Sequence, residues 1–470
     1  MTSTSLPLAS PSGEGVDPSA VRAFLDAQEA AGQQMHSLQV VRHGHLVAQG
    51  WWAPWTPSDR ALVYSLSKTF TSAVVGVCVA DGVFGYDDTI VELLPHLAAE
   101  TTGKTRRIRV RDCLSMATGH THDLMDGVLT GLDASHITRM LATEPQGEPG
   151  ETFCYNQIAT YTLSVLVEHA TGRDVHDLMR ERVLDRIGCA PSSWQRDLEG
   201  RSLGYSGLQI TAPTLAAFFQ LLLDKGVHDG RQLLAPEWIE RHCELQVVNG
   251  DDPDSDWAQG YGWQVWRARH GYRGDGAFGQ YGVVLPEQDV VVAITSEVAD
   301  MQITLDNLWK HLLPGLGRAP LPGSAADDEL RDHLGTRQIP PLSAPFDGPT
   351  GDGVLPTSFI GSVDGDDIRL EWTERDGTRL AATVGLGRWE RTTLQWPDGH
   401  ADVAISGLLV DGRIHARLLM LTSPHSVDIV GADDHGAPGW ARWRMQQLGV
   451  VRSLRDLRLR EVAPATGAHA

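Results

Sequence analysis

The sequence predicts a mixed α/β (α+β) chain: a helix cluster framed by strands from both ends of its region, followed by a separate antiparallel β-domain. Three observations carry this. The chain has 470 residues, more than one hydrophobic core keeps absorbing, which points to two domains. Apolar positions recur at helical spacing through most of the first 315 residues, with strand-like runs near both ends of that region. Beyond a stretch dense in Pro, Gly, Ser and Asp, the pattern changes to short alternating runs divided by Asp-Gly turns.

In chain order, Met1 to Asp17 is rich in Ser, Pro and Gly and reads as a flexible tail. It lacks the basic and apolar segments of a secretory signal. Val21, Phe24 and Leu25 predict an amphipathic helix, and the runs from Ser37 to Arg42 and from His45 to Trp52 predict a hairpin turning at Gly44. Residues 65–81 carry the small apolar composition of a helix buried on most faces, closed by Asp81-Gly82, and a helix from Asp88 to Leu94 stops at Pro95. Helices are expected over 109–116, 159–171, 175–187, 212–223 and 236–244, several opening on Thr, Asp or Pro. Strands are expected over 261–266, 282–285 and 289–295. The resulting domain boundaries are a tail at 1–15, a first domain at 16–316, a linker at 317–356, an antiparallel, barrel-like β-domain at 357–452 and a terminal tail at 453–470.

Composition excludes some partners. A formal charge of -21 disfavours nucleic acid and anionic membrane surfaces, both of which need a basic patch. No apolar run approaches the roughly 20 residues of a membrane span. Five cysteines (Cys78, Cys113, Cys154, Cys189, Cys243) without paired close spacing fit reduced, buried thiols and a cytoplasmic location. The oligomeric state is open.

Chemistry concentrates at Tyr64-Ser65-Leu66-Ser67-Lys68. On a helix, positions i and i+3 share a face, so Ser65 and Lys68 come within hydrogen-bonding reach while Ser67 points elsewhere. With 27 serines and four lysines, chance alone supplies about a quarter of one S-x-x-K. Context adds weight. The chain holds 35 arginines against those four lysines, and only lysine can lose its proton when desolvated. Ser65 also stands at a helix start, where free N–H groups favour developing negative charge.

The stretch from Tyr64 to Ser72, Gly76 with Ala80-Asp81-Gly82, and Val110 to His120 together resemble the β-lactamase-related serine hydrolases. That family includes class C β-lactamases, penicillin-binding proteins of that type, EstB-like esterases and D-aminopeptidases. The resemblance runs from about Gly15 to Leu313. It implies a transpeptidase-like fold, an antiparallel sheet packed against helical clusters, with Ser65 as nucleophile and Lys68 as its partner. The second family motif, Tyr-x-Asn, is matched by Tyr155-Asn156-Gln157, which gives Tyr155 the relay role and leaves Gln157 to offer its amide to substrate. The third motif, a basic residue two positions before a glycine, is matched by Gly274-Asp275-Gly276: a glycine stands where Lys or His is expected. The resemblance then implies an oxyanion hole from the backbone N–H groups of Ser65 and Ala277, and a substrate surface at Gln157, Asp275, Gly276 and Phe278. Loss of the basic partner favours neutral or cationic acyl donors unless Arg273 swings in.

No cofactor or metal is required by this chemistry. His120, His122 and Asp123 suggest a metal site, but they fall inside the Thr-Gly-His pattern of the hydrolases. His43 and His45 flank a hairpin turn. Trp51, Trp52, Trp55, Trp257, Trp263 and Trp266 divide between core packing and an acyl pocket. The β-domain holds no catalytic constellation; by analogy it resembles the small barrels that follow this catalytic domain in D-aminopeptidases and peptide cyclases. The leading expectation is a serine hydrolase of small esters or amides. A peptide-directed D-aminopeptidase, DD-peptidase or transpeptidase/cyclase is the close alternative, and a non-catalytic binding protein of the same fold the distant one.

Overall fold

The computed structural model describes residues 6–98, 101, 103–125, 132–320, 322–346, 348, 353–354, 359–364, 367–374, 376–431, 439–445, 448 and 453–460. The chain forms two compact units. The first comprises Met1–Gly50 and Val63–Gly335, the second Trp51–Leu62 and Thr336–Ala470. Parts of the expected linker and most of the terminal tail lie outside the described residues.

The first unit opens with helix α1 (Pro18–Ala30), capped by the Asp17 side chain accepting from the Ser19 N–H, with proline at the first turn. Strands β1 (Gln34–Arg42) and β2 (His45–Trp51) form the expected hairpin, with His43 and Gly44 both at positive φ. Helix α2 (Ser67–Ala80) buries every residue from Ser67 to Cys78, as its small apolar composition requires. Helices α3 (Gln157–Thr171) and α4 (Ala212–Leu223) follow, capped by the side chains of Asn156 and Thr211. The strands β3 (Trp266–Arg267), β4 (Tyr272–Gly276), β5 (Gln280–Leu285) and β6 (Val290–Glu297) complete a six-stranded sheet in the order β2-β1-β6-β5-β4-β3. Its centre is the antiparallel pairing of β1 with β6, Val40 opposite Val292, which joins the two ends of the region. Helix α4 packs across β6, β1 and β5.

Three sequence-based expectations change here. The strand expected over 261–266 does not form: Gln264 sits at φ 62, and its side chain is turned inward, donating to the Cys113 and Leu114 carbonyls and accepting from Thr160 Oγ1. Only Trp266–Arg267 pairs as a strand. Residues 6–15, expected as free tail, are tied down: Leu46 N–H donates to Pro7 O, Ser12 N–H to Asp327 Oδ1, and Arg42 Nη1 to the carbonyls of Glu14 and Gly15. A helix α5 (Ala325–Gly335) occupies part of the expected linker, with Leu330 and Leu334 buried.

The second unit is β-rich, as predicted. Its strands are β7 (Gly353–Val354), β8 (Phe359–Asp364), β9 (Asp367–Thr373), β10 (Arg379–Leu386), β11 (Glu390–Trp396), β12 (Gly399–Val410), β13 (Arg413–Met420), β14 (Ser426–Val430) and β15 (Trp440–Trp443). They form one sheet in the order β7-β15-β14-β13-β12-β10-β9-β8, with β11 paired to β12. Among the described residues this path has two ends, and the sheet curls as a half-barrel. Trp55, from the early segment of this unit, is buried with Ile339, Ala404, Leu419 and Leu421. Arg391 reinforces it through both oxygens of Asp59, at 2.6 and 3.0 Å. Among the described residues, no helix is long and apolar enough to cross a membrane.

Candidate active site

Ser65 sits in a 3-10 turn, Tyr64–Leu66, immediately before α2. Tyr64 adopts φ 46, a conformation disfavoured for a residue with a Cβ, and one that recurs where a side chain must be presented at a bend. Ser67 holds this turn in place: its Oγ donates to the Tyr64 carbonyl at 2.6 Å and accepts from the Leu208 N–H at 3.0 Å. Ser67 is thereby used structurally, and Ser65 remains half-buried and available.

One turn on, Lys68 is 1% exposed. Its Nζ lies 3.0 Å from Ser65 Oγ, 2.7 Å from Gln157 Oε1 and 2.9 Å from the Tyr205 carbonyl. Burial pulls its pKa down to about 7, against the opposing pull of the carboxylates of Asp123 and Asp275. This geometry selects a role. Gln157 Oε1 and Tyr205 O can only accept, so both take N–H bonds from Nζ, and in the neutral form of the amine the position left for its lone pair is the one toward Ser65 Oγ.

Tyr155 completes the group. Its hydroxyl hydrogen-bonds Ser65, and burial raises its pKa well above the usual phenol range, with Asp275 and Asp123 adding to the effect. It is therefore a neutral phenol at physiological pH. Its ring stacks on Trp266 at 5.1 Å, and Lys68 Nζ lies 4.7 Å from the ring centroid. Asn156, between the two motif residues, turns its Oδ1 to the Ile158 N–H and starts α3, which points Tyr155 and Gln157 to either side of the cap.

On β4, Gly276 has no room for a side chain, since a Cβ would lie 2.0 Å from the Val63 carbonyl and 3.2 Å from Leu66 N. The strand thus runs against the backbone that carries the nucleophile. Among the described hydrogen bonds neither the Ser65 nor the Ala277 backbone N–H has a backbone acceptor. Gly274 faces the helices: a Cβ there would stand 2.8 Å from Phe219 Cζ and 2.8 Å from Thr69 Oγ1. Gly282, opposite Gly274 on β5, would meet the same ring at 2.3 Å. The Phe219 ring of α4 fills the space that a basic side chain at 274 would need.

The other residues singled out in the sequence are placed as follows. Gln157 accepts from Lys68 Nζ through its carbonyl oxygen at 2.7 Å, a contact that spacing did not indicate. Asp275 is 7% exposed, with Oδ2 bound to Arg273 Nε at 3.0 Å. Arg273 does not swing into the site: it is fully buried, donating to the Asp256 and Arg267 carbonyls and stacked 4.6 Å from Trp257. Phe278 is 8% exposed and packs on Tyr64, ring centroids 5.4 Å apart. His120 is buried between Thr118 Oγ1 and the Thr143 carbonyl, and His43 pairs with Glu14. Among the described residues no three His, Cys, Asp or Glu side chains are grouped to hold a metal.

Sequence reasoning missed Tyr205 and Asp123 as members of the site and left Trp266 between core packing and an acyl pocket. Tyr205 acts through a carbonyl, which no side-chain pattern reports. Asp123 accepts from the Gln157 and Met125 N–H groups and faces Lys68 electrostatically; it was visible only as part of a metal-like triplet.

A family model described as "Beta-lactamase" matches residues 20–307. A 6-aminohexanoate-dimer hydrolase of Paenarthrobacter ureafaciens is 23% identical over 217 residues, 43% of this chain and 55% of that protein. The chain thus spans about half the length of this curated relative. Among solved structures, EstCE1, a hydrolase with promiscuous acyltransferase activity, gives a TM-score of 0.50 at 17% identity over 62% of this chain and 98% of its own. An octameric penicillin-binding protein homologue from Pyrococcus abyssi gives 0.50 at 14% identity over 90% and 99%. At these identities the likeness to both structures is one of fold.

Proposed function

We propose a function from one premise, that this chain belongs to the Beta-lactamase family: it is a serine hydrolase that acylates Ser65 with small esters or amides and releases the acyl group to water. The observation that carries this is the set of three contacts around Lys68 Nζ. Ser65 Oγ attacks the acyl carbonyl as its proton passes to the neutral Lys68 amine, and a new C–O bond forms. The bond from the acyl carbon to the leaving oxygen or nitrogen then breaks as Tyr155, bonded to Ser65, hands its proton to that atom, and Lys68 passes the proton it took on to Tyr155. Water then attacks the ester with the same groups acting in reverse. The N–H groups of Ser65 and Ala277 are the donors assigned to the oxyanion.

Substrate class follows from what surrounds the nucleophile. No basic side chain stands at 274, and Arg273 is consumed by Asp275, so the site lacks the clamp for a carboxylate beside the reacting carbonyl. Donors without such a carboxylate are favoured. A second reading, amides bearing a free amine, draws support from the negative charge of Asp123 and from the amide named in the Paenarthrobacter relative. All five cysteines are free, in keeping with a reducing cytoplasm.

The test is intact-protein mass spectrometry after a fluorophosphonate and a panel of p-nitrophenyl esters, on wild type and Ser65→Ala. An adduct and p-nitrophenol release that vanish in the variant are expected. A folded wild type with neither would replace the hydrolase by a binding protein.

A further inference from the structure

We propose that Asp275, paired with Arg273 and bonded to Trp266, positions Tyr155 and sets the charge around the Lys68–Tyr155 pair, and does not itself bind substrate. The inference rests on the acyl-enzyme reading of the site and assigns the one charged pair that reading leaves unused.

The connections are continuous. Arg273 is fully buried, yet its guanidinium reaches Asp275 Oδ2 at 3.0 Å and the Asp256 carbonyl at 2.9 Å. Asp275 also accepts from the Trp266 side chain. Trp266 lies 5.1 Å from Tyr155, nearly parallel, and meets Tyr261 edge-on at 4.9 Å. On its far side Tyr155 receives the Lys68 ammonium or amine at 4.7 Å from its centroid. A displacement of Asp275 therefore moves the indole against which the relay ring is seated. Asp275 is closed to substrate by the same contacts.

Charge follows the same path. Lys68 is faced by Ser65 on its own helix, by Gln157, Asp123 and Tyr155 from the α3 side, by the Tyr205 carbonyl, and by Asp275 from β4. Tyr155 is faced by Ser65, Asp123, Asp275 and Arg273. At Tyr155 the charges of Asp275 and Arg273 oppose one another, while Lys68 is faced by the Asp275 carboxylate without the arginine. Removing the carboxylate takes away the negative charge that faces both groups, which pushes both pKa values down. Removing Arg273 as well takes its cation from Tyr155 and leaves Lys68 without the carboxylate.

The experiment measures the fluorophosphonate labelling rate of Ser65 against pH, with kcat and KM for a p-nitrophenyl ester. Asp275→Asn is expected to move the acid limb down by about one pH unit, the low end for a charge this close. Arg273→Gln/Asp275→Asn is expected to keep the limb lowered, since Lys68 is faced by the carboxylate and not by the arginine. Trp266→Phe, which keeps the ring and loses the indole N–H, is expected to lower kcat about tenfold with KM unchanged, on the scale of one misplaced proton relay. Should Asp275→Asn fail to fold around its unpaired arginine, the double variant and Trp266→Phe still decide. An unmoved limb in labelled Asp275→Asn, or a rise in KM alone in either folded variant, would overturn the positioning role and return Asp275 to substrate recognition. A wild type that takes no label fails the acyl-enzyme reading itself, a distinct outcome, and removes this inference with it.

Discussion

Lys68 decides whether the site works, and its environment makes the pH dependence predictable. Its folded pKa of about 7 lies below the ordinary 10.5, so the unfolded chain binds the extra proton between those values. Stability from this group therefore rises with pH across that window, and the cost of burying Lys68 is complete below pH 7. With Lys68 taking the Ser65 proton as proposed, activity is expected to run the same way, because only the neutral amine can accept it. kcat/KM is expected to fall about tenfold per pH unit below the limb near pH 7. Lys68→Met should be inactive yet at least as heat-stable as wild type at pH 6, with any advantage shrinking toward pH 10. Thermal unfolding at both pH values checks it, and a variant that melts well below wild type at pH 6 would mean that the three hydrogen bonds outweigh the burial cost. Ser65 and Lys68 were legible from spacing because helical geometry forces i and i+3 together. Gln157 and Asp275 were legible as members of the site but not in their contacts, since a bond to Lys68 or Arg273 is set by tertiary packing that spacing does not encode.

At the scale of elements, helices α1 to α4 and the first hairpin were readable because each carries its own period and start signal. Strand β4 was not: Tyr272-Arg273-Gly274-Asp275-Gly276 contains two glycines and two charges, a poor strand by propensity, and it is held by β5 and by the Phe219 ring. That ring leaves no room for a side chain at position 274. Gly274→Lys is expected to destabilise the protein by about 1–3 kcal/mol, the usual range for overpacking a filled core. Adding Phe219→Ala should recover part of the loss, read as melting temperature. A double variant no better than Gly274→Lys alone would show that Phe219 is not what excludes a side chain there. The strand expected over 261–266 failed for the opposite reason, an apolar aromatic run diverted by the inward-turned side chain of Gln264.

The molecule as a whole divides unevenly with respect to its sequence. Trp51–Leu62 belongs to the second unit although 50 residues of the first precede it and Val63 returns the chain to the first. Composition could mark the change near residue 357 because the repeat length of the pattern alters there; it could not assign a short tryptophan-rich loop to a sheet made far downstream. A chain ended at Gly335 keeps that loop but loses Ile339, Ala404, Leu419 and the Arg391 partner of Asp59. Such a fragment is expected to bind a hydrophobic dye and to lose soluble yield, and a monodisperse fragment that melts like the full chain would contradict this. The division also has a consequence for biosynthesis. About 270 residues separate Leu62 from Thr336, which at 5–20 residues per second is roughly 15–55 s of elongation. Through that interval the buried partners of Trp55, from Ile339 to Leu421, have yet to be made, so the indole is expected to stand exposed on the nascent chain, a ready hold for chaperones.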